Sequence, residues 1–155
     1  MEVLKRAHAH RGASLVEIFQ NCVVFNDNVF GAFTERSVVE DAQIHVEHGQ
    51  PLLFGKERNR GLRFRPGKIA LEVVTVGEDG ITEGDIIVHD QANRALASML
   101  IALEPPYPVA VGVIYDDPTP TYESAMFAEA PGSAQVDLEA VDRLLRGGRT
   151  WEVIG

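Results

Sequence analysis

A chain of 155 residues with 45% hydrophobic and 24% charged residues has the length and composition of one globular domain with a packed core. Its 14 Lys and Arg residues against 23 Asp and Glu residues give a net charge of −9, which argues against binding to nucleic acid or to anionic membranes. One cysteine excludes an internal disulfide bond, and no apolar run approaches the roughly 20 residues that span a bilayer. The N-terminus also lacks an apolar signal-peptide core, so we predict a cytoplasmic protein.

The first elements along the chain are a helix over Glu2–His10, ended near Gly12, and a strand at Ala13–Phe19. The apolar residues of this strand follow no strict alternation, which is typical of a strand covered on both faces inside a mostly parallel sheet. A helix followed by such a strand is the second half of a βαβ unit, so we expect a further strand upstream of Met1. The strand delivers Cys22 to the sheet edge where ligands bind in open α/β folds.

The middle of the chain predicts a loop with a short helical turn over residues 28–42, followed by a hairpin. Ile44 and Val46 form its first strand, His48-Gly49 forms the turn, and residues 52–54 form the return. The basic stretch after it, residues 56–68, contains Gly and Pro and reads as an irregular connection.

The second half of the chain alternates strand and helix patterns, which predicts an α/β fold. We interpret this fold as part of a parallel sheet with a hairpin-bearing appendage. The predicted elements are a strand over Leu71–Val76, a short buried strand over Ile86–Asp90, a helix over Asn93–Glu104, a strand over Val109–Tyr115, a helix over residues 122–130 capped by Thr121, a last helix over Asp137–Gly148, and a terminal tail over residues 150–155.

Cys22 is the residue best suited to a chemical role, and it has three possible interpretations. A lone cysteine is most often an inert buried thiol. A nucleophilic cysteine requires a base, and no Cys/His/Asn spacing in this chain identifies one. A metal or iron–sulfur site requires several ligands, and this chain supplies a single thiolate. As a metal ligand, Cys22 therefore completes only a site whose other ligands lie elsewhere.

Histidines and arginines give weaker signals. His45 and His48 are interpreted as solvated surface residues, and His89 beside Asp90 as the donor or acceptor of a structural hydrogen bond at a strand end. The early histidines, His8 and His10, lie on different faces of the first helix. Four arginines form the one basic cluster, and a solvated loop is favoured over a phosphate or acidic-partner patch. The cluster contains Arg58, Arg60, Arg63 and Arg65. No phosphate loop, paired carboxylates or G-x-S-x-G motif is present, so no residue is assigned a catalytic role.

A resemblance over nearly the whole chain adds to these signals. The segment EIFQNCVVFND, residues 17–27, resembles the β subunit of 2-oxoacid:ferredoxin oxidoreductases, most closely the two-subunit 2-oxoglutarate type. Further segments resemble that family in the same order and spacing: EHGQPLLFG, LEVVTVG, DIIVHD, PVAVGVIY, PTYESAM and LLRGGRTWEV. The resemblance covers only the C-terminal portion of such a subunit. The C-x-x-C pair, the further upstream cysteine and the GDG…N segment of the family do not occur in this chain.

The resemblance implies a fold, a reaction and one site residue. Residues 1–30 are expected to end a thiamine-diphosphate-binding-type α/β domain, and residues 31–155 to form the appendage. Family enzymes use thiamine diphosphate, Mg²⁺ and a [4Fe–4S] cluster to convert a 2-oxoacid and coenzyme A into acyl-CoA, with ferredoxin as electron acceptor. The family's last cluster thiolate matches Cys22. Implied partners are an α subunit and the missing N-terminal β portion, and the chain is not expected to be active alone. The alternative is a non-catalytic truncated remnant that acts as a binding or assembly module.

Overall fold

A computed structural model of the chain describes residues 2–129, 137–148 and 151. The chain divides into two compact units, Met1–Pro118 and Thr119–Gly155. The helices are α1 (Glu2–Ala9), α2 (Gly31–Thr34), α3 (Val39–Ala42), α4 (Arg94–Ile101), α5 (Tyr122–Glu129) and α6 (Leu138–Arg146). The strands are β1 (Gln43–Val46), β2 (Leu53–Phe54), β3 (Arg60–Phe64), β4 (Leu71–Thr75) and β5 (Val109–Gly112), and a 3₁₀ turn covers Glu83–Asp85.

The first unit contains two small sheets of different kinds. β1 pairs with β5 in parallel, with Ile44 opposite Ala110. β2, β3 and β4 form an antiparallel sheet in that order, with Leu62 opposite Val73. The predicted α/β class is therefore confirmed as a mixed α/β architecture with one parallel strand pair.

One apolar core joins the two sheets and α4. Leu96 and Leu100 lie one turn apart on the buried face of α4, as its helical apolar pattern predicts. Asn93 caps this helix, because its side chain accepts a hydrogen bond from the backbone N–H of Leu96 at 3.0 Å. The other buried apolar residues of this core are Ile44, Val46, Leu52, Leu53, Phe54, Leu62, Leu71, Ile86 and Ala110.

The predicted hairpin is wrong in its pairing, although its elements are present. The turn at His48-Gly49 forms, and Gly49 adopts a φ of 78° that a glycine accepts without strain. β1 nevertheless pairs with β5, and β2 pairs with β3. Local alternation predicts a strand but not its partner, because the partner is chosen by burial against distant segments.

The basic connection after β2 is also corrected, because residues 60–64 form strand β3. Gly61 and Leu62 are buried in the core, while Arg63 lies toward the sheet surface. There the Arg63 Nε donates to Glu72 Oε1 on β4 at 2.6 Å. The cross-strand carboxylate makes an arginine-rich strand compatible with the sheet.

The strand predicted at Ala13–Phe19 does not form. Within the described part of the chain no strand pairs with these residues, and most of their side chains are exposed. Leu15 is 91% exposed and Ile18 is 70% exposed. A strand needs a hydrogen-bonded neighbour, and apolar side chains alone do not supply one.

The short strand predicted at Ile86–Asp90 is present only as a paired segment. Val88 forms an isolated bridge with Pro51. Ile87 donates its N–H to Leu62 O and accepts from Leu52 N–H, both at 2.9 Å. The segment therefore pairs with β3 and with the residues just before β2, and it contributes Ile86 to the core.

In the second unit, both predicted helices are confirmed. The Thr121 hydroxyl accepts a hydrogen bond from Ser124 N–H at 3.2 Å at the start of α5. Asp137 accepts from Glu139 and Ala140 N–H at the start of α6. Of the predicted terminal tail, all residues except Trp151 lie outside the described ones. No helix in the described ranges is both long and apolar enough to cross a lipid bilayer.

Candidate functional site

Cys22 lies at the start of a tight exposed loop. The backbone N–H of Asn26 donates to the carbonyl of Cys22 at 2.9 Å, and the two residues form an isolated antiparallel bridge. Residues 13–26, which we name the apolar arm, contain several exposed apolar side chains, and Phe25 at the loop tip is 90% exposed. The predicted placement of Cys22 at the edge of a buried strand is therefore wrong, and the thiol is open to solvent.

Two contacts hold the apolar arm next to the cysteine. The Phe19 ring packs against Phe30 and Phe33, with ring centroids 5.4 and 5.1 Å apart. The Asn21 side-chain oxygen accepts a hydrogen bond from Phe30 N–H at 3.2 Å. Tilted and edge-on aromatic pairs of this kind stabilise a contact beyond their burial. Cys22 therefore comes directly after a segment that these two contacts hold in place.

The loop also favours the charged form of the thiol. Backbone N–H groups, first that of Phe25 and then that of Val24, donate hydrogen bonds that lower the pKa of Cys22. The thiolate is the form of cysteine that attacks electrophiles and binds metals. The exposed position contradicts the burial that is typical of a lone cysteine.

The donor set around Cys22 does not make a complete metal site. The structure brings together no group of three or more His, Cys, Asp or Glu residues that holds a metal ion, as far as residues 2–129, 137–148 and 151 are concerned. Cys22 is the only cysteine of the sequence. A [4Fe–4S] cluster takes four thiolates as a rule, so the chain fits such a cluster as the source of one ligand and not as its holder.

The histidines have structural roles or lie at the surface, as predicted. The buried His89 has its Nε2 3.0 Å from the carbonyl of Val113, which confirms a structural hydrogen bond. His45 is exposed on β1. His48 is exposed, its Nδ1 accepts from Gln91 N–H at 3.3 Å, and it lies 3.8 Å from an Asp90 oxygen.

Three of the four arginines in the cluster pair with neighbouring carboxylates. Arg63 and Arg65 both contact Glu72, at 2.6 and 3.3 Å. The hydrogen bond from Arg63 is the main cause that lowers the pKa of Glu72. Arg60 lies 3.9 Å from Asp41 and places its guanidinium 4.6 Å from the Phe54 ring centroid. These two carboxylates balance two of the four positive charges of the arginine cluster.

An open groove lies beside α4 and β4, with a volume of about 450 Å³. Met99, Leu103 and Tyr107 contribute to its apolar wall, and Glu104 is the one carboxylate in the lining. The Tyr107 hydroxyl donates to the carbonyl of Leu71 at 3.1 Å, so it is engaged in the fold. The groove therefore offers no acid–base pair for catalysis.

The sequence interpretation missed a polar cluster that joins α1 to the end of the first unit. Arg6 contacts both Gln91 and Asp116, and His10 also faces Asp116. The contact between Arg6 and Asp116 joins residues 110 positions apart. No local pattern signals such a pair.

Comparison with known proteins gives one clear relationship. The chain is 35% identical over 159 residues to the 2-oxoglutarate oxidoreductase subunit KorB of Mycobacterium tuberculosis. The match covers 98% of this chain and 41% of that protein, so the chain spans about two fifths of the length of its curated relative. No protein-family model and no solved structure matches the chain.

This match extends through the Cys22 loop, both sheets and the second unit, because it includes almost every residue of the chain. The segments that suggested the resemblance are spread over the same length. The chain is thus similar to the C-terminal portion of a 2-oxoglutarate oxidoreductase β subunit, and the predicted resemblance to the β subunits of 2-oxoacid:ferredoxin oxidoreductases is confirmed.

Proposed function

We propose that the chain is the C-terminal portion of the β subunit of a 2-oxoacid:ferredoxin oxidoreductase that acts on 2-oxoglutarate. The observation that carries this proposal is the 35% identity over 98% of the chain to a 2-oxoglutarate oxidoreductase subunit. The assembled enzyme would oxidatively decarboxylate the 2-oxoacid with coenzyme A, give acyl-CoA and CO₂, and reduce ferredoxin. Thiamine diphosphate, Mg²⁺ and the catalytic groups belong to the rest of the β subunit and to the α subunit.

The share of this chain in the site is the thiolate of Cys22, as one ligand of a [4Fe–4S] cluster. Three observations support the assignment: the thiol is exposed, backbone N–H groups lower its pKa, and the Phe19 and Asn21 contacts fix the chain beside it. A cysteine must lose its proton to bind iron, so a lowered pKa favours binding. Such a cluster supplies electron transfer when bound, and the remaining thiolates come from outside this chain.

The domain division belongs to the same proposal. Residues 1–30 would complete a thiamine-diphosphate-binding-type α/β domain, and residues 31–155 would form the appendage. The exposed apolar arm supports this division, because an apolar patch of several large side chains marks a contact with another polypeptide. A cytoplasmic location fits a chain with one cysteine and a reduced thiol.

Electron paramagnetic resonance of the assembled complex tests the ligand role. The chain is co-expressed with the remaining β portion and the α subunit, and the dithionite-reduced complex is compared with its Cys22→Ser variant. We expect the cluster signal to be lost or changed in shape, because a serine oxygen replaces one thiolate. In parallel, 2-oxoglutarate-dependent reduction of methyl viologen should fall with the signal.

The matched control is Val23→Ser, which introduces the same hydroxyl at the exposed neighbouring position and keeps the thiol. This variant should retain the cluster signal. An unchanged signal in Cys22→Ser would exclude Cys22 as a ligand while leaving the subunit assignment open to the activity measurement.

A second candidate function is a non-catalytic binding or assembly module. The observation that favours it is the combination of a large exposed apolar arm with a single thiol. A stable iron-free complex between this chain and the α subunit, with no 2-oxoglutarate oxidation, would support this function over the first.

A further inference from the structure

Polar side-chain contacts hold helix α1 against the rest of the first unit. It has eight residues, and none of them is buried. Isolated helices shorter than about 12 residues are marginal in water, so α1 depends on tertiary contacts for its stability. Its long-range side-chain contacts converge on Gln91 and Asp116.

The contacts form a compact polar cluster. Arg6 Nη2 donates to Gln91 Oε1 at 2.9 Å and lies 3.3 Å from Asp116 Oδ2. His10 Nδ1 lies 3.3 Å from the other carboxylate oxygen, Asp116 Oδ1. Asp116 is itself fixed, because its N–H donates to the carbonyl of Gln91 at 2.9 Å. The Asp116 carboxylate thus meets Arg6 of α1 and His10, the residue directly after the helix.

One oxygen of this cluster opposes the stabilisation that the ion pair contributes. Asp116 Oδ1 is buried and accepts no hydrogen bond within the ranges that the structure describes, since the His10 contact lies outside hydrogen-bond geometry. Desolvating a carboxylate oxygen without a hydrogen bond offsets much of what an ion pair contributes. Water reaches this oxygen when α1 leaves. This unsatisfied oxygen therefore offsets part of the stabilisation that α1 gains from the Arg6 contact.

We propose that α1 is a detachable strap, anchored by Asp116, that leaves the first unit without unfolding its core. Between α1 and Phe19, the Ser14 hydroxyl donates back to Ala7 O at 3.2 Å. The next fixed point is Phe19, packed on Phe30 and Phe33. Release therefore frees residues 2–18 as one segment. This device is independent of the proposed enzyme function.

Amide hydrogen exchange of the full 155-residue chain tests the strap, with α1 and α4 followed as separate peptides. In Asp116→Asn and in Arg6→Gln, we expect protection of α1 to fall roughly fivefold, the size typical of a partly exposed ion pair and its hydrogen bond. Protection of α4 should stay unchanged. Added salt at 0.5 M should lower α1 protection in the native chain and much less in Asp116→Asn.

Asp41→Asn is the matched control, because Asp41 also pairs with an arginine of the first unit, Arg60, at 3.9 Å. It should leave α1 protection unchanged. Arg6→Gln changes a side chain that is 39% exposed, so it does not disturb the core. Unchanged α1 protection in both Arg6→Gln and Asp116→Asn would overturn the proposal, and so would an equal loss in α1 and α4 in Arg6→Gln.

Discussion

The core around β1–β5 and the apolar arm have similar apolar compositions, but the core side chains are buried and most large apolar side chains of the arm are exposed. Leu62 on β3 is fully buried, whereas Leu15 in the arm is 91% exposed. Both regions are rich in Leu, Ile, Val and Phe. The sequence predicts strands in both, although it predicts an irregular connection for the segment that forms β3. The strands of the core have hydrogen-bonded neighbours, whereas residues 13–19 of the arm pair with no strand among the described residues. Apolar composition thus shows where burial is favourable, and backbone pairing decides where it occurs.

The sharpest test of this contrast is the same substitution in both regions. Leu62→Ala should lower the free energy of unfolding by about 2–5 kcal/mol, because it opens a cavity in the core. Leu15→Ala should change it by less than about 0.5 kcal/mol. Urea unfolding of the full chain measures both. Equal losses would mean that the arm is packed in the isolated chain and that the contrast is false.

A second test probes how tightly the core is packed. A Cβ atom at Gly61 would lie 2.6 Å from Ile86 Cδ1 and 3.0 Å from its Cγ1. Ile86 is buried and has no solvent to move into, so Gly61→Ala should cost about 1–3 kcal/mol. Ile86→Val removes the closest atom.

We therefore expect the Gly61→Ala/Ile86→Val double variant to lose less stability than the sum of the two single variants. Urea unfolding of the four chains gives this coupling. Strict additivity would show that the core relaxes around the new methyl group by another route.

A smaller effect is expected at the start of α4. Asn93→Ala removes the acceptor of the Leu96 N–H and should cost about 1 kcal/mol. Asn93→Asp keeps an acceptor oxygen and should retain most of the stability. Thermal unfolding distinguishes the two variants, and similar losses in both would indicate that the cap contributes little.

The smallest effect on stability is expected in the arm, at Cys22. The exposed thiol should react with iodoacetamide without denaturant, and Cys22→Ser should abolish the reaction without changing the melting temperature. Because the Phe25 N–H lowers the pKa of Cys22, the thiolate forms at lower pH than in a free thiol. The pH profile of alkylation should shift in that direction.

Free cysteine and the urea-unfolded chain are the references for this profile. Reaction only after unfolding would contradict the exposed loop. A profile equal to that of the unfolded chain would contradict the backbone hydrogen bonds to the sulfur.

Much of the secondary structure was predictable from local signals. Helices α1, α4, α5 and α6 lie within a few residues of their predicted positions, and Asn93, Thr121 and Asp137 stand at their N-termini. Strands β4 and β5 follow from runs of β-branched residues. These features depend on residues close in sequence, where propensity and capping act.

By itself, the sequence determined the helices, most strands, the single thiol and, through ordered segments, the family resemblance. Only the tertiary structure decided that β1 pairs with β5, that Arg63 belongs to a strand beside Glu72, and that Cys22 lies in an exposed loop. The Arg6–Asp116 contact belongs with these features. The β1–β5 pairing and the Arg6–Asp116 contact join groups far apart in the chain, whereas the Arg63 and Cys22 features join groups within ten residues. All of them are set by which apolar surfaces are covered and which backbone groups find partners.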